Sequence, residues 1–299
     1  MINRFEMKAD VKINRDATSS FVSPFSSLEK IKMVDLFSEA NGVRAFNGKS
    51  VRLDRIRNRG DVTCVDIAIV DFFDFISTTL VYYQRDALID YCESHDKCDE
   101  LELIKKLIRS MNEIGSHSSF QDIIHKKELS NILAVSVLIE DVNGDVGVIH
   151  RSEKVAVSSG IFSVSATGAL DEIDYYADNP IMSCAKREVE EELNIRGDAL
   201  VFDELVMSKQ KLQPVALLSL KLEQSWKDII SSIKSAEDFH KETQKIYAVP
   251  SARLVDFLGT ETFTEVATYQ LRKKYFDEGD GNDEKGPNNF CFDKDDYLL

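Results

Sequence analysis

Residues 186–195 read Lys-Arg-Glu-Val-Glu-Glu-Glu-Leu-Asn-Ile, with four glutamates in five positions. At about 100° per residue in a helix, Glu188, Glu191 and Glu192 share an arc of roughly 100°, and Glu190 points elsewhere. Carboxylates grouped this way repel one another by a few tenths of a kcal/mol per exposed pair. Set half-buried against a sheet they cost far more, unless something neutralises them. A hard divalent cation with oxygen ligands does this well. The competing reading is a solvated acidic face, the usual place for charge on a helix. Arg187 stands four residues before Glu191 and can pair with it.

The chain around this run is built to hold it. Asp178-Asn179-Pro180 is a helix start: Asn179 can cap, and Pro180 suits the first helical position. Ala185, Val189 and Leu193, with Met182 close to the same face, form a core-facing stripe. Asn194 follows the last turn, where a left-handed residue often ends a helix. Upstream, Ile132–Val142 and Val146–Ser152 flank Asn143-Gly144, the strongest short-range signal for a hairpin. A glycine-bearing extended stretch, 154–170, and a loop dense in Asp then lead to the helix. Downstream come strands at 201–208 and 214–223, a helix around 226–239, an extended 245–249 and a helix at 251–259. The order β-β-β-α-β-β-α-β-α reads as a mixed sheet with helices packed on it. A last helix around 264–276 closes the region.

With this context the run resembles the Nudix hydrolase box, Gx5Ex7REUxEExGU with U apolar. Arg187-Glu188-Val189-Glu190-Glu191-Glu192-Leu193-Asn194-Ile195 matches the C-terminal half at every named position but the Gly, which is Asn194. The resemblance covers about residues 131–259 and implies an α/β (α+β) fold, a Nudix-type mixed β-sheet sandwiched by helices. The N-terminal half departs from the pattern. Gly168 is the candidate for its opening glycine, and counting forward puts the Glu position on Asp174. Counting back from Arg187 puts it on Asn179, so the loop carries an insertion of about five residues and no Glu stands at either place. Asp174 or Asp178 would have to substitute. The resemblance implies Mg2+- or Mn2+-dependent hydrolysis of the diphosphate bond of a nucleoside diphosphate linked to another moiety. It makes Glu188, Glu191, Glu192 and the Gly168 carbonyl the metal ligands, and Arg187, Glu188 and Glu191 the catalytic set. Arg187 would orient Glu191; Glu188 is one candidate base, and loops outside the box supply others. The altered loop keeps an alternative open: a catalytically impaired, Nudix-fold nucleotide-binding or sensor protein.

Four segments are expected: a flexible N-terminus at 1–26, an α+β region of unassigned role at 27–130, the Nudix-like domain at 131–276, and an acidic tail at 277–299. In the second, Val65–Tyr83 reads as buried strand, and the aspartates interrupting it argue against a membrane span. The net charge of −15 opposes broad nucleic-acid binding; a small nucleotide-type substrate stays compatible through a bound cation. Five cysteines without a CxxC pair, and an N-terminus lacking an apolar h-region, point to a cytoplasmic protein. A homodimer stays open. Phe162, Tyr175, Tyr176 and Trp226 are candidates for stacking a base, although packing or loop surface is the commoner role of such residues. His150 and His125 read as structural and solvated, respectively.

Overall fold

The computed structural model describes residues 2–8, 10–15, 19–111, 114, 118–153, 155, 158–236, 239–276 and 297–299, less the side chains of His240 and Glu242. Of the acidic tail, only its last three residues fall among these. The strands are β1 (Ile2–Phe5), β2 (Asp10–Asn14), β3 (Lys49–Arg59), β4 (Val62–Asp71), β5 (Ala134–Glu140), β6 (Asp145–Arg151), β7 (Phe162–Val164), β8 (Ala166–Ala169), β9 (Val201–Ser208), β10 (Gln213–Lys221) and β11 (Thr243–Pro250). One sheet runs β1-β9-β10-β5-β6-β11, with β7 on β6 and β8 on β5; a second runs β2-β4-β3. By contacts the chain divides into two compact units: Met1–Ala134, Ala169–Ile181 and Glu204–Ala216 form one, and Val135–Gly168, Met182–Asp203 and Leu217–Leu299 the other. Among the described residues, no helix is long and apolar enough to cross a membrane.

In the first unit, Ser26 and Glu29 make a reciprocal capping box ahead of the helix Ser27–Asn41, which ends on Gly42 in the left-handed conformation at φ 64°. Strands β3 and β4 pair antiparallel, and β2 lies parallel to β4 with Asp10 opposite Val62. Residues 2–5 and 10–14 therefore differ from the flexible stretch that composition suggests. Each is a short polar strand held by the neighbour it pairs with, β1 by β9 and β2 by β4. The expected strand over 65–83 is also corrected. It stops at Asp71, and Phe72–Tyr83 is helical, with a π-helical turn at Ile76–Leu80. Asp74 Oδ2 accepts the Asp71 N–H at 3.3 Å, and Lys30 pairs with Asp74 at 2.6 Å. Asp71 and Asp74 thus start a helix, overriding the β-branched composition that follows, while Asp66 stays within β4.

In the second unit the β5–β6 hairpin turns where Asn143-Gly144 places it. Asp141 Oδ1 accepts the N–H groups of Asn143 and Asp145 at 2.8 and 3.0 Å, and Gly144 has φ 84°. The other Asp141 oxygen accepts the Trp226 N–H at 3.0 Å, at the start of the helix Trp226–Ile233. The Trp226 ring lies flush on Gly147, where a Cβ would stand 2.2 Å from it. β11 pairs antiparallel with β6, Ile246 opposite Ile149. Leu254 and Phe257 from the helix Leu254–Thr260, and Ala267 and Leu271 from the helix Glu265–Tyr275, share one core with Val148, Val164, Phe162 and Tyr247. The result is the expected mixed sheet with helices; the single extended stretch expected over 154–170 is instead two short strands, β7 and β8, and a one-turn helix, Glu172–Tyr175, stands before the acidic helix.

Candidate functional site

The acidic run lies on the helix Pro180–Leu193, which opens at the proline as its sequence indicates. Cys184, Ala185, Val189 and Leu193 are fully buried and fix its rotation about its axis. That rotation leaves Glu190 exposed, holds Glu188 and Glu191 partly buried, and buries Glu192 to 1% exposure. Asn194 takes φ 52°, and its N–H reaches the Glu190 carbonyl at 2.8 Å; the Ile195 N–H reaches that of Val189 at 3.3 Å. The last carbonyls are thereby satisfied, as a left-handed helix stop requires, with Asn standing in for glycine. The Asn194 side chain adds a bond to Ser232 Oγ at 2.9 Å, which a glycine would lack.

Arg187 Nη1 lies 2.8 Å from Glu188 Oε1 and 3.0 Å from Glu191 Oε2. One guanidinium nitrogen thus bridges two of the three carboxylates. Its Nη2 lies 3.5 Å from the Cys184 sulfur. Glu192 turns toward β8, where its Oε1 accepts the Thr167 N–H at 3.4 Å. Glu188 presses on the next residue of the same strand: a Cβ on Gly168 would stand 1.9 Å from the Glu188 carboxyl carbon. It is that close approach, and not a left-handed backbone, that favours glycine there, since a Cβ would displace the Glu188 carboxylate. Two of the three glutamates therefore meet β8 at adjacent residues.

The donors available, three carboxylates and a backbone carbonyl, are all hard oxygens and suit Mg2+ or Mn2+. Gly168 and Glu188 already share a cradle that any side chain on residue 168 would fill. The carboxylates do not converge further than this: among the described residues, no group of three or more His, Cys, Asp or Glu is set to hold a metal ion. Arg187 sets a positive charge between Glu188 and Glu191.

Arg151 is a residue the motif does not reveal. It ends β6, and its Nη1 donates to Thr167 Oγ1 at 3.2 Å, which sets a second guanidinium beside the strand that Glu188 and Glu192 touch. Nothing in the local sequence marks it; only the pairing of strands brings it there. Asp174, a stand-in for the missing glutamate by spacing, is buried in a capping box: its Oδ2 accepts the Asp171 N–H at 3.2 Å at the start of the one-turn helix Glu172–Tyr175. Asp178 is exposed. Trp226 and Phe162 are core residues at 0% and 2% exposure, and Tyr175 Oη donates to the Arg15 carbonyl at 2.7 Å. Of the four aromatic candidates only Tyr176 is presented to solvent, edge-on to Tyr175 with ring centroids 5.2 Å apart. His150 bonds Gln244 Oε1 through Nδ1 at 2.7 Å and packs edge-on against Phe162, a structural placement. His125 ends the helix Phe120–Ile124.

No family model matches the chain, and no curated protein matches it. Solved structures similar to it include the MutT protein of Methanosarcina mazei Go1, 21% identical over 48% of this chain and 91% of that one, at a TM-score of 0.32. A C. elegans Ap4A hydrolase is 15% identical over 47% of this chain and 94% of that one, at 0.34. The Nudix domain of Shewanella oneidensis NrtR, crystallised with ADP-ribose, is 10% identical over 48% of this chain and 86% of that one, at 0.36. Each of the three is similar to about half of this chain, and the residues that resemble the Nudix box are Arg187–Ile195.

Proposed function

We propose that the protein is a divalent-metal-dependent hydrolase of Nudix type, cleaving the diphosphate bond of a nucleoside diphosphate linked to another moiety. The observation that carries this reading is the contact of Glu188 with Gly168, beside that of Glu192 with Thr167. Glu188 and Glu192, brought against the strand backbone in this way, are two of the three carboxylates that the box assigns as ligands beside the Gly168 carbonyl. A bound Mg2+ or Mn2+ would neutralise phosphate oxygens and make a water more nucleophilic at neutral pH. The chain's own part is to hold the carboxylates ready. Arg187 keeps Glu188 and Glu191 from repelling each other, and the Thr167 N–H fixes Glu192. No general base is assigned.

A second reading is favoured by a specific observation: Asp174 is tied into a capping box, Asp178 is exposed, and no Glu stands at the loop position the box calls for, which suits a nucleotide-binding or sensor protein. One experiment separates the two. Release of the nucleoside monophosphate product is followed over nucleotide sugars, dinucleotides and nucleoside triphosphates with Mg2+, beside binding of the same compounds. Release that Glu191→Gln abolishes supports the hydrolase. Binding without release, unchanged by Glu191→Gln, supports the sensor. Neither release nor binding, with no Mn2+ held, sinks both.

A further inference from the structure

Strand β3 carries arginine at 52, 55, 57 and 59, in a chain with 52 acidic residues against 37 basic ones. Its apolar residues change parity part-way: Val51 and Leu53, then Ile56. A side-chain period of two cannot put all three into one core unless one residue is left over. Asp54 is that residue. Leu53 pairs with Ile67 and Arg55 with the next residue, Asp66, so a bulge stands between them. Asp54 is buried there, accepting from Arg52 Nε at 2.9 Å and from the N–H and hydroxyl of Ser20 at 2.7 and 2.9 Å. Past the bulge, Ile56 meets Val65 on the core side, and Arg55, Arg57 and Arg59 all turn to the other side.

The neighbouring strands extend this charge. Arg57 is opposite Cys64 of β4, and Cys64 has Lys12 of β2 on its other side. All of these residues lie in the first unit, on one half of one face of the three-stranded sheet. Arg55, Arg59 and Lys12 are exposed. Two carboxylates share that half: Asp66, buried and bound by Arg57 Nη1 at 2.7 Å, and Asp10 on the outer strand. Among the described residues, no carboxylate pairs with Arg55, Arg59 or Lys12. Residues two apart on a strand stand about 6.8 Å apart, so the three arginines span about 14 Å. An extended peptide lying along β3 repeats its own side chains at the same step, so carboxylates at alternate positions meet successive guanidiniums. Each guanidinium offers a carboxylate a planar two-donor fork, and Arg57 keeps donors beyond the one given to Asp66. A nucleic-acid strand fits less well. No aromatic ring stands on this half of the face to stack a base, and the net charge of −15 opposes a polyanion longer than the basic field.

We propose that this half of the β2-β4-β3 face binds an extended acidic peptide segment of a partner protein, with carboxylates at alternate positions meeting Arg55, Arg57 and Arg59 and with Lys12 at the side. The binding needs nothing from the acidic helix and goes beyond the hydrolase reading. The test uses the full chain and short fluorescein-labelled peptides of one composition, one alternating Glu with Thr and one with the Glu in a block. A short oligothymidylate is run beside them; fluorescence anisotropy at low salt reads binding, and circular dichroism reads folding. The alternating peptide is expected to bind severalfold more tightly than the block peptide. Arg55→Gln with Arg59→Gln weakens its binding about tenfold, while Arg57 is left in place because it neutralises the buried Asp66. Lys227→Gln with Lys245→Gln removes the same charge from exposed lysines elsewhere and leaves binding within about twofold. If the arginine pair does not fold, Arg59→Gln and Lys12→Gln singly decide, each expected to cost about threefold. No binding of the alternating peptide by the wild-type chain, equal binding of the two peptides, or binding that the variants on this face leave unchanged overturns the proposal. An oligothymidylate bound more tightly than the peptide, and lost with the same arginines, overturns it in favour of a nucleic-acid partner.

Discussion

Gly168→Ala is the sharpest perturbation of the candidate site. Its Cβ would stand 1.9 Å from the Glu188 carboxyl carbon and 2.0 and 2.4 Å from its oxygens, where ordinary contact starts at 3.4 Å. The carboxyl must therefore retreat by about 1.5 Å. The backbone does not resist alanine, because residue 168 lies outside the left-handed region. What moves is the far end of a flexible side chain, so the cost in stability is that of a poorer rotamer, ~1 kcal/mol. In a domain of this size that is a fall in Tm of about 2–4 °C. The cost to the site is larger. A displacement beyond 1 Å of a group that must sit in place for reaction is worth on the order of 10² in rate. Gly168→Ala is thus expected to melt close to the wild type, to lose about a hundredfold in kcat/KM for whichever diphosphate is turned over, and to bind Mn2+ more weakly. Differential scanning fluorimetry, release of the nucleoside monophosphate and Mn2+ titration read the three. Wild-type turnover and Mn2+ affinity in a folded Gly168→Ala would refute the claim that Glu188 acts from its place against β8. A collapse of Tm by more than about 10 °C would refute the claim that the clash is absorbed by a side chain.

Gly147→Ala presses instead on a rigid, fully buried partner: the new Cβ would lie 2.2 and 2.5 Å from two Trp226 ring atoms. Overpacking against an indole that cannot swing aside is expected to cost about 3 kcal/mol or more in urea unfolding, and an unchanged midpoint would count against it. Arg52→Ala removes one half of an ion pair whose side chains are 0% and 4% exposed. The uncompensated charge left on Asp54 predicts a loss of about 3–5 kcal/mol by denaturant titration, and a loss under 1 kcal/mol would contradict the assignment. Burial first, then the hydrogen bond to Glu140, pushes the Tyr275 phenol well above its ordinary value. Because the folded chain then holds this proton more tightly than the unfolded one, its contribution is complete below about pH 10 and is lost as the pH rises beyond that. Urea midpoints at successive alkaline pH values should fall in the wild type and fall less in Tyr275→Phe; parallel curves would remove the claim.

The parts of this molecule that could be read from its sequence are those governed by near neighbours along the chain. Pro180, the stripe Ala185-Val189-Leu193 and Asn194 each carry a local rule, and the helix begins, turns and ends where those rules say. Asn143-Gly144 set the hairpin in the same way. The pairing of Arg187 with Glu191 is an i,i+4 contact and was legible; its equally short pairing with Glu188 was not, because adjacent side chains leave an ideal helix about 100° apart. There the long guanidinium stem bridges what periodicity separates. Asp71 and Asp74 misled for the opposite reason: an aspartate inside a β-branched run is both an interruption of a strand and a helix start, and only Lys30, far back in the chain, shows which. The contacts that define the candidate site belong to neither class. Gly168 against Glu188 and Arg151 beside Thr167 join residues brought together by strand pairing and helix packing. A glycine discloses nothing about which side chain fills the space it leaves, and an arginine nothing about the distant carbonyl it will cap. For this chain the helix that carries the carboxylates is therefore a local product, and their readiness for a metal is a tertiary one. That is why Arg151 and Gly168, rather than further changes among the glutamates, are the positions at which the functional reading can be broken without touching the acidic helix.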